Sequence, residues 1–287
     1  MPALGIDIGG SSVKIALVHG ADMTTSRSAG YERPSREALV GAVQGAIRLL
    51  GEPIGSATPV GLCMPGKHDV SGRCVCRSVN MPCLEGWAFE DMAREMLGFA
   101  PDAMRVSSDI HATAMDLVRC FELDKRTAVL AIGTGVGLAL VEDGESLSIG
   151  SKGIGHLGQL DVGRCGSADR FTREGARNTL ESYVGAGALR ERFGMDEEGL
   201  VREIGRVADD DPFVVALVRA LRAVHAIYAP EAVVLAGGVG MALAPRREEL
   251  YRLVCDGLTS LACSDWELRF GMSLFHAASG AACLAAR

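Results

Sequence analysis

Apolar and polar positions along the 287-residue chain fall into the same arrangement twice. Residues 4–8 and 13–18 are apolar runs on either side of the polar turn Gly9-Gly10-Ser11-Ser12, and they predict a strand hairpin. About 125 residues later the shape returns: Val129-Leu-Ala-Ile132, then Gly133-Thr134-Gly135, then a second apolar run, predicting a hairpin over 128–141. Behind the first hairpin, Pro34 followed by Leu39, Val40, Val43, Ile47 and Leu50 predicts a helix over 34–50. The run from Pro59 to Met64 predicts a short buried strand ended by Pro65-Gly66. A helix from Trp87 to Leu97, a strand over 104–108 and a helix over 110–121 follow. Behind the second hairpin come a Gly-rich loop at 150–166, helices over 179–192 and 212–228, a strand over 232–236 and a turn at Gly237-Gly238. A helix near 246–258 and a small-residue helix over 271–286 close the chain. The repeated order implies two α/β lobes that meet within residues 112–127: a smaller one over 1–118, completed by the C-terminal helix 272–287, and a larger one over 119–271.

Composition narrows the class. Apolar residues at 48%, charged residues at 23% and 36 glycines fit a soluble α/β protein with tightly cut turns. Aromatic residues are only 5%, the net charge is −7, and no basic run exceeds Arg246-Arg247, so nucleic acid is not an expected partner. Neither a basic-then-apolar leader nor an 18-residue uncharged apolar run occurs, which leads us to expect a cytoplasmic protein without membrane attachment. The nine cysteines are odd in number and several sit in helical patterns, as reduced thiols do. His68, Cys74, Cys76 and Cys83 lie close in sequence, but their separations do not make paired metal knuckles.

The two turns suit an anion. Gly9 and Gly10 allow the backbone to approach closely, so that successive N–H groups can face phosphate oxygens, while Ser11, Ser12 and Lys14 add hydroxyls and a positive charge. Gly133, Thr134 and Gly135 offer the same from the second copy, and two such loops suggest two lobes clasping one polyphosphate. The dinucleotide fingerprint is excluded because the residues after the first turn, Val13-Lys-Ile-Ala-Leu-Val18, read as strand and not as helix. A Walker loop is excluded because no Gly-Lys-Ser/Thr follows the glycines. Asp7, just before the first turn, could hold a hydrated Mg²⁺ or simply form an Asx-type turn. Asp109 stands where a strand runs into a helix, at the mouth of the sheet; it could be a helix cap, or the carboxylate that takes a proton from an alcohol in phosphoryl transfer.

With these residues in view the chain resembles the ROK family (repressor, open reading frame, kinase), whose sugar kinases belong to the actin and hexokinase superfamily. Asp7-Ile-Gly-Gly-Ser-Ser-Val-Lys14 is similar to the family's first phosphate motif and Gly133-Thr-Gly-Val-Gly137 to its second. Pro230 to Gly238 resembles a third motif, on the nucleotide side. Gly66 lies in a segment like the family's Pro-Gly turn, Asn80 in the stretch whose asparagine touches the sugar, and Ser108-Asp109 in the segment with the catalytic base. Gly153-Ile-Gly-His156 and Leu180-Glu181 resemble segments whose residues reach the sugar. The resemblance implies an actin/hexokinase-like (ribonuclease H-like) two-lobed ATPase fold with a duplicated βββαβα-type core. It also implies ATP and Mg²⁺ as cofactors, with Asp7 meeting Mg²⁺ through water or phosphate. Asp109 would be the general base, with Asp7, Gly9, Gly10, Ser11, Ser12, Lys14, Gly133, Thr134, Gly135, Gly237 and Gly238 around the nucleotide. Gly66, Asn80, Ser108, His156 and Glu181 would surround a sugar, and a homodimer is favoured.

The departures gather at the acceptor end. Ser108 replaces an asparagine, His111 a second one, and Gly153 a glutamate whose charge-assisted bond to sugar hydroxyls would be worth about 1.5–3 kcal/mol. The family's zinc-binding cysteines fall on Thr172-Arg-Glu174-Gly-Ala-Arg-Asn-Thr179, so no structural zinc is expected, and Cys165 alone could not complete a site with His156. His156 is then either a sugar contact or a structural histidine, its loop held by packing and by residues such as Gln159 and Asp161. The function expected is ATP-dependent phosphorylation of a hexose or related sugar at its primary hydroxyl. A kinase for an N-acylated amino sugar and a non-catalytic sugar sensor are the alternatives. A DNA-binding repressor is disfavoured, because the first phosphate motif begins a few residues from Met1.

Overall fold

A computed structural model describes residues 2–149, 154–263 and 265–287. The chain runs β1 (Ala3–Ile8), β2 (Val13–His19), β3 (Asp22–Arg27), α1 (Arg36–Leu50), β4 (Val60–Met64), β5 (Lys67–His68), β6 (Val75–Arg77), α2 (Phe89–Leu97), β7 (Met104–Ser108) and α3 (Asp109–Phe121). It continues with β8 (Thr127–Ile132), β9 (Val136–Glu142), β10 (Glu145–Ser146), α4 (Leu180–Val184), α5 (Ala186–Phe193), α6 (Glu197–Ile204) and α7 (Pro212–Tyr228). The last elements are β11 (Ala232–Ala236), α8 (Gly237–Ala242), α9 (Arg247–Cys255), α10 (Ser260–Cys263), β12 (Glu267–Phe270) and α11 (His276–Ala285). Two compact units result: Met1–Cys120 with Phe275–Arg287, and Phe121–Leu274. No helix among the described residues is long and apolar enough to cross a membrane.

Each unit carries one five-stranded sheet, and the two sheets share one plan. In the first the order is β3-β2-β1-β4-β7, in the second β10-β9-β8-β11-β12. Three strands meander antiparallel, and two more join parallel to the first of them. The duplicated α/β core is the expected fold class. Its parallel strands β1 and β4 are buried along their whole length, as strands covered on both faces are. Leu4, Ile6, Ile8, Leu39, Val43, Leu62, Met64 and Met92 lead the first core; Leu130, Ile132, Leu180, Phe213, Leu217, Val233 and Leu235 lead the second.

Several boundaries differ from the pattern-based reading. The helix predicted over 179–192 is two helices that break at Gly185, whose extended backbone caps one and starts the other. Gly237 and Gly238 are not a free turn but the first residues of α8; two glycines lower helix propensity enough to hide a six-residue helix. Gly237 has φ +75°, and a β-carbon there would strike the Ile132 backbone.

The closest packing belongs to α11. Its run His276-Ala-Ala-Ser-Gly280-Ala-Ala lies against β1, β4 and α3. A β-carbon on Gly5 would overlap the Ala278 carbonyl, one on Gly61 the Ala281 carbonyl, and one on Gly280 the Ala112 carbonyl. Backbone therefore meets backbone, which a larger residue at any of the three would prevent. Gly61→Ala is expected to lower stability by at least about 2 kcal/mol, since the obstacle is main chain and cannot rotate away. Gly41→Ala, in α1 with open space around it, should raise stability by about 0.5–1 kcal/mol. Chemical denaturation of both variants reads the opposite signs.

Candidate active site

Parallel order brings the carboxyl ends of β1, β4 and β7 side by side. Asp7 is paired in register with Cys63, and Met64 with Ser108. Ligands of open α/β sheets gather at this edge. Asp7 is buried, and its Oδ2 accepts a hydrogen bond from Lys14 Nζ at 3.1 Å, its partner across the hairpin. The Cys63 thiol donates to Asp7 Oδ1 at 3.9 Å and to the Ala277 carbonyl at 3.4 Å. Burial and the adjoining Asp7 push that thiol well above its usual range, so Cys63 is a neutral donor.

Asp109 opens α3 at the end of β7. Ser108 does the capping: its Oγ accepts the His111 N–H at 3.3 Å. Asp109 Oδ1 accepts the Ile110 N–H at 2.8 Å, and no described residue bonds its second oxygen. Burial, then the negative charge of Asp7, push its carboxyl up to about 6, against the partial relief of the Ile110 N–H and Lys14. A carboxylate with one oxygen fixed, the other uncommitted and its proton affinity raised is suited to receiving a proton.

The first hairpin turns on few bonds. Gly9 N–H donates to the Ser12 carbonyl at 3.1 Å, while Gly10 and Ser11 N–H meet no acceptor among the described residues. A β-carbon on Gly9 would press to 2.9 Å from the Ser12 carbonyl. The Tyr31 hydroxyl donates to the Gly9 carbonyl at 2.7 Å, so the turn is pinned from behind, and burial raises the phenol's pKa. Ser12 is fully buried and its hydroxyl accepts from Arg27 Nε at 3.0 Å, which makes it a post for the turn, whereas Ser11 is the more exposed hydroxyl. Gly66 has φ +126° and sits hard against Val75, Arg77 and Ser78; Asn80 follows in the same partly buried stretch. No hydrogen bond among the described residues joins Gly66 or Asn80 to Asp109.

In the second unit Gly133 N–H donates to the Gly135 carbonyl at 3.0 Å, and the Gly133 carbonyl accepts from Ala186 N–H at 2.8 Å. Thr134 is half-buried between them. Glu181, at the start of α4, accepts the Val136 N–H at 3.3 Å, which ties it to the same hairpin. Burial raises its carboxyl, while the Val136 N–H and the exposed His156 oppose the rise. The structure thus gathers Glu181 and His156 beside the second hairpin; Gly153 lies outside the described residues. Gly238 has open space where a side chain would stand.

Residues 161–179, the loop where the family's zinc module would fall, are held by a polar network around Asn178, which adopts φ +53°. Its Oδ1 accepts from Arg170 N–H at 3.0 Å and from the Tyr183 hydroxyl at 2.9 Å, and its Nδ2 donates to Asp169 at 2.9 Å. Asp169 also pairs with Arg164 at 3.1 Å, and Arg219 donates to the Val162 carbonyl at 2.7 Å. Asp161 Oδ1 accepts one bond, from Gly163 N–H at 2.8 Å, and no side-chain bond of Gln159 supports the loop among the described residues. His68, Cys74, Cys76 and Cys83 do not bring their donor atoms into one set among the described residues.

Sequence reasoning missed Cys63, Tyr31, Arg27 and Asn178. Cys63 sits in an unbroken apolar run, where nothing but strand register shows it facing Asp7. Asn178 carried one usable signal, as asparagine tolerates a left-handed backbone better than its neighbours do.

Comparison with known proteins agrees with this architecture. The ROK family model matches residues 3–286, and the chain belongs to the ROK family. No curated protein sequence matches the chain. Among solved structures, the ROK hexokinase of Thermus thermophilus is 23% identical, with 98% of this chain and 97% of that one covered and a TM-score of 0.65. A ROK family glucokinase from Streptomyces griseus, solved with glucose and AMPPNP, is 18% identical over 99% of each chain, at a TM-score of 0.75. A ROK family transcriptional regulator, a homolog of the E. coli MLC protein, is 16% identical over 99% of this chain and 77% of its own, at a TM-score of 0.70. At these identities the likeness establishes the actin/hexokinase-like fold.

The raised Asp109 has a thermodynamic consequence. The folded protein keeps this proton up to about pH 6, whereas an unfolded Asp releases it near 3.8. Stability from this group is therefore full below about pH 4 and is lost as pH rises through about 6. Above that, Asp109→Asn removes a poorly solvated charge and keeps an oxygen for Ile110 N–H. It should stabilise the protein at pH 7.5 by about 1–2 kcal/mol, with the gain vanishing toward pH 4. Urea titrations at the two pH values check this, and an equal or opposite effect at pH 7.5 would contradict it.

Proposed function

We propose that this protein phosphorylates a sugar of the hexose class at a primary hydroxyl, using ATP and Mg²⁺. The observation that carries the reading is Asp109: a carboxyl at the end of a parallel strand, beside Asp7, held at about 6 with one oxygen uncommitted. Membership of a family with hexokinase and glucokinase structures among the fold's neighbours supports it.

The residues present fit a nucleotide. Gly10 and Ser11 present N–H groups that meet no acceptor among the described residues, Gly9 lets the chain turn closely against the Ser12 carbonyl, and Lys14 adds positive charge. Gly133, Thr134 and Gly135, with Gly237 and Gly238, would serve the nucleotide from the second unit, and Asp7 would meet Mg²⁺ through water or phosphate. When bound, ATP with Mg²⁺ supplies the phosphoryl group and neutralises its charge. Asp109 would take the proton of the acceptor hydroxyl as that oxygen bonds to the γ-phosphorus and the bond from the γ-phosphorus to the β-phosphate oxygen breaks, leaving ADP, while the ion pair with Lys14 holds Asp7 in place. Ser108 caps α3, which fixes where Asp109 points. Gly66, Asn80, His156 and Glu181 would contact the sugar, with Glu181 accepting from its hydroxyls.

The test is a coupled assay with ATP·Mg²⁺ over hexoses, N-acetylhexosamines and pentoses. At least one hexose should be phosphorylated; turnover confined to N-acetylhexosamines would make the acceptor an amino sugar instead. Asp109→Asn should lower kcat about 10²–10⁴-fold while sugar affinity by calorimetry changes little. A wild-type protein that binds a sugar and turns over none would contradict the kinase reading in favour of a sensor.

A further inference from the structure

At the opposite end of α3 from Asp109, a second group of chemically active side chains has no part in that reading. Asp116 and Cys120 stand one helical turn apart on α3, and His276 is the first residue of α11. Their donor atoms all lie within 4.8 Å of one another. Asp116 and His276 are buried, whereas Cys120 is exposed and opens the group to solvent.

The two oxygens of Asp116 are used differently. Oδ1 is saturated, accepting from Ser279 Oγ at 2.7 Å and from Arg119 Nη2 at 2.7 Å. Oδ2 faces the other two donors, with His276 Nδ1 at 2.6 Å and Cys120 Sγ at 3.8 Å. Ser279 and Arg119 thus do what outer partners do around a ligating carboxylate: they fix one oxygen and aim the other. A nitrogen, an oxygen and a sulfur converge from two helices.

We propose that Asp116, Cys120 and His276 form a binding site for a divalent cation of the zinc class, with water as fourth ligand, that clamps α3 to α11. Bonds of about 2.0 Å to nitrogen and oxygen and about 2.3 Å to sulfur set tetrahedral ligand separations of roughly 3.3–3.6 Å. The Asp116–Cys120 separation of 3.8 Å is already close to this, and the His276–Asp116 pair, at 2.6 Å, has to open by about 0.7–1 Å as the ion takes the place of the proton they share. Binding displaces that proton, to solvent from an imidazolium or to Nε2 from a neutral ring, and releases the thiol proton of Cys120 to solvent, so that thiolate, neutral imidazole and carboxylate meet the ion. A mixed N, O, S donor set selects against Mg²⁺ and Ca²⁺, which take oxygen. The site is thus distinct in chemistry from the Mg²⁺ position at Asp7.

Cobalt(II) reads the site directly. The full-length chain, reduced and freed of metal with chelator, is titrated with Co²⁺ at pH 7.5. One equivalent should produce the charge-transfer band of a single thiolate–cobalt bond and the intense visible bands of a four-coordinate ion, both abolished by Zn²⁺. Cys120→Ser, on an exposed position, should remove the charge-transfer band and weaken Co²⁺ binding at least tenfold. Cys76→Ser and Cys165→Ser should change neither. Zn²⁺ at a hundredfold excess over its Kd should raise the Tm by several degrees in wild type and not in Cys120→Ser. A spectrum without a thiolate band, or one that survives Cys120→Ser, would overturn the assignment, and both readouts are independent of kinase turnover.

Discussion

Helix α11 lies so close to β1 and β4 that main chain touches main chain, and most of the first unit is organised around that contact. Gly5, Gly61 and Gly280 have no side chain because a carbonyl of α11 or α3 occupies the space where one would be. The buried run 276–282 of α11 is made of small residues apart from the histidine; what it contributes is proximity. The Ala277 carbonyl reaches the Cys63 thiol, and Cys63 in turn reaches Asp7. At the helix's own start, His276 and Ser279 grip Asp116 of α3. The helix that presents Asp109 is therefore anchored along its length by a partner that lies far away in sequence.

That anchoring permits an unfavourable arrangement of charge to persist. Asp7 and Asp109 sit near each other at the end of the sheet, with Lys14 as the cation that offsets them. Asp7 is ion-paired with Lys14, and Asp109, half-buried and poorly solvated near it, carries a raised proton affinity. Surroundings set the proton affinity of the Asp109 carboxyl, as they set that of acids and bases in many active sites. The cost in stability is the counterpart of the chemistry.

Much of this was legible in the sequence, for physical reasons that also explain what was not. The glycine hairpins stood out because β-branched runs flank turns that need backbone freedom, and Asp109 because a strand-to-helix junction is where open sheets carry ligands. Strand β3, Asp-Met-Thr-Thr-Ser-Arg, is an edge strand paired on one side alone, so its exposed residues carry little hydrophobic pattern to detect. Strand β12 alternates as a strand should, but four residues are too few to stand out. The Asn178 network joins residues that are unremarkable singly; a loop held by hydrogen bonds leaves no periodic trace, whereas cysteines with metal spacing would have done so. The three tight glycines were visible as letters, yet their purpose depends on α11 arriving from the far end of the chain.

The chemistry of this site depends on the state of one carboxyl group. A ¹³C NMR titration of the Asp109 side-chain carboxyl measures it without reference to any substrate. A midpoint near 6 is expected, moving toward the ordinary aspartate value when Asp7 is replaced by Asn. A wild-type midpoint at or below about 4, the ordinary range for an exposed aspartate, would contradict it.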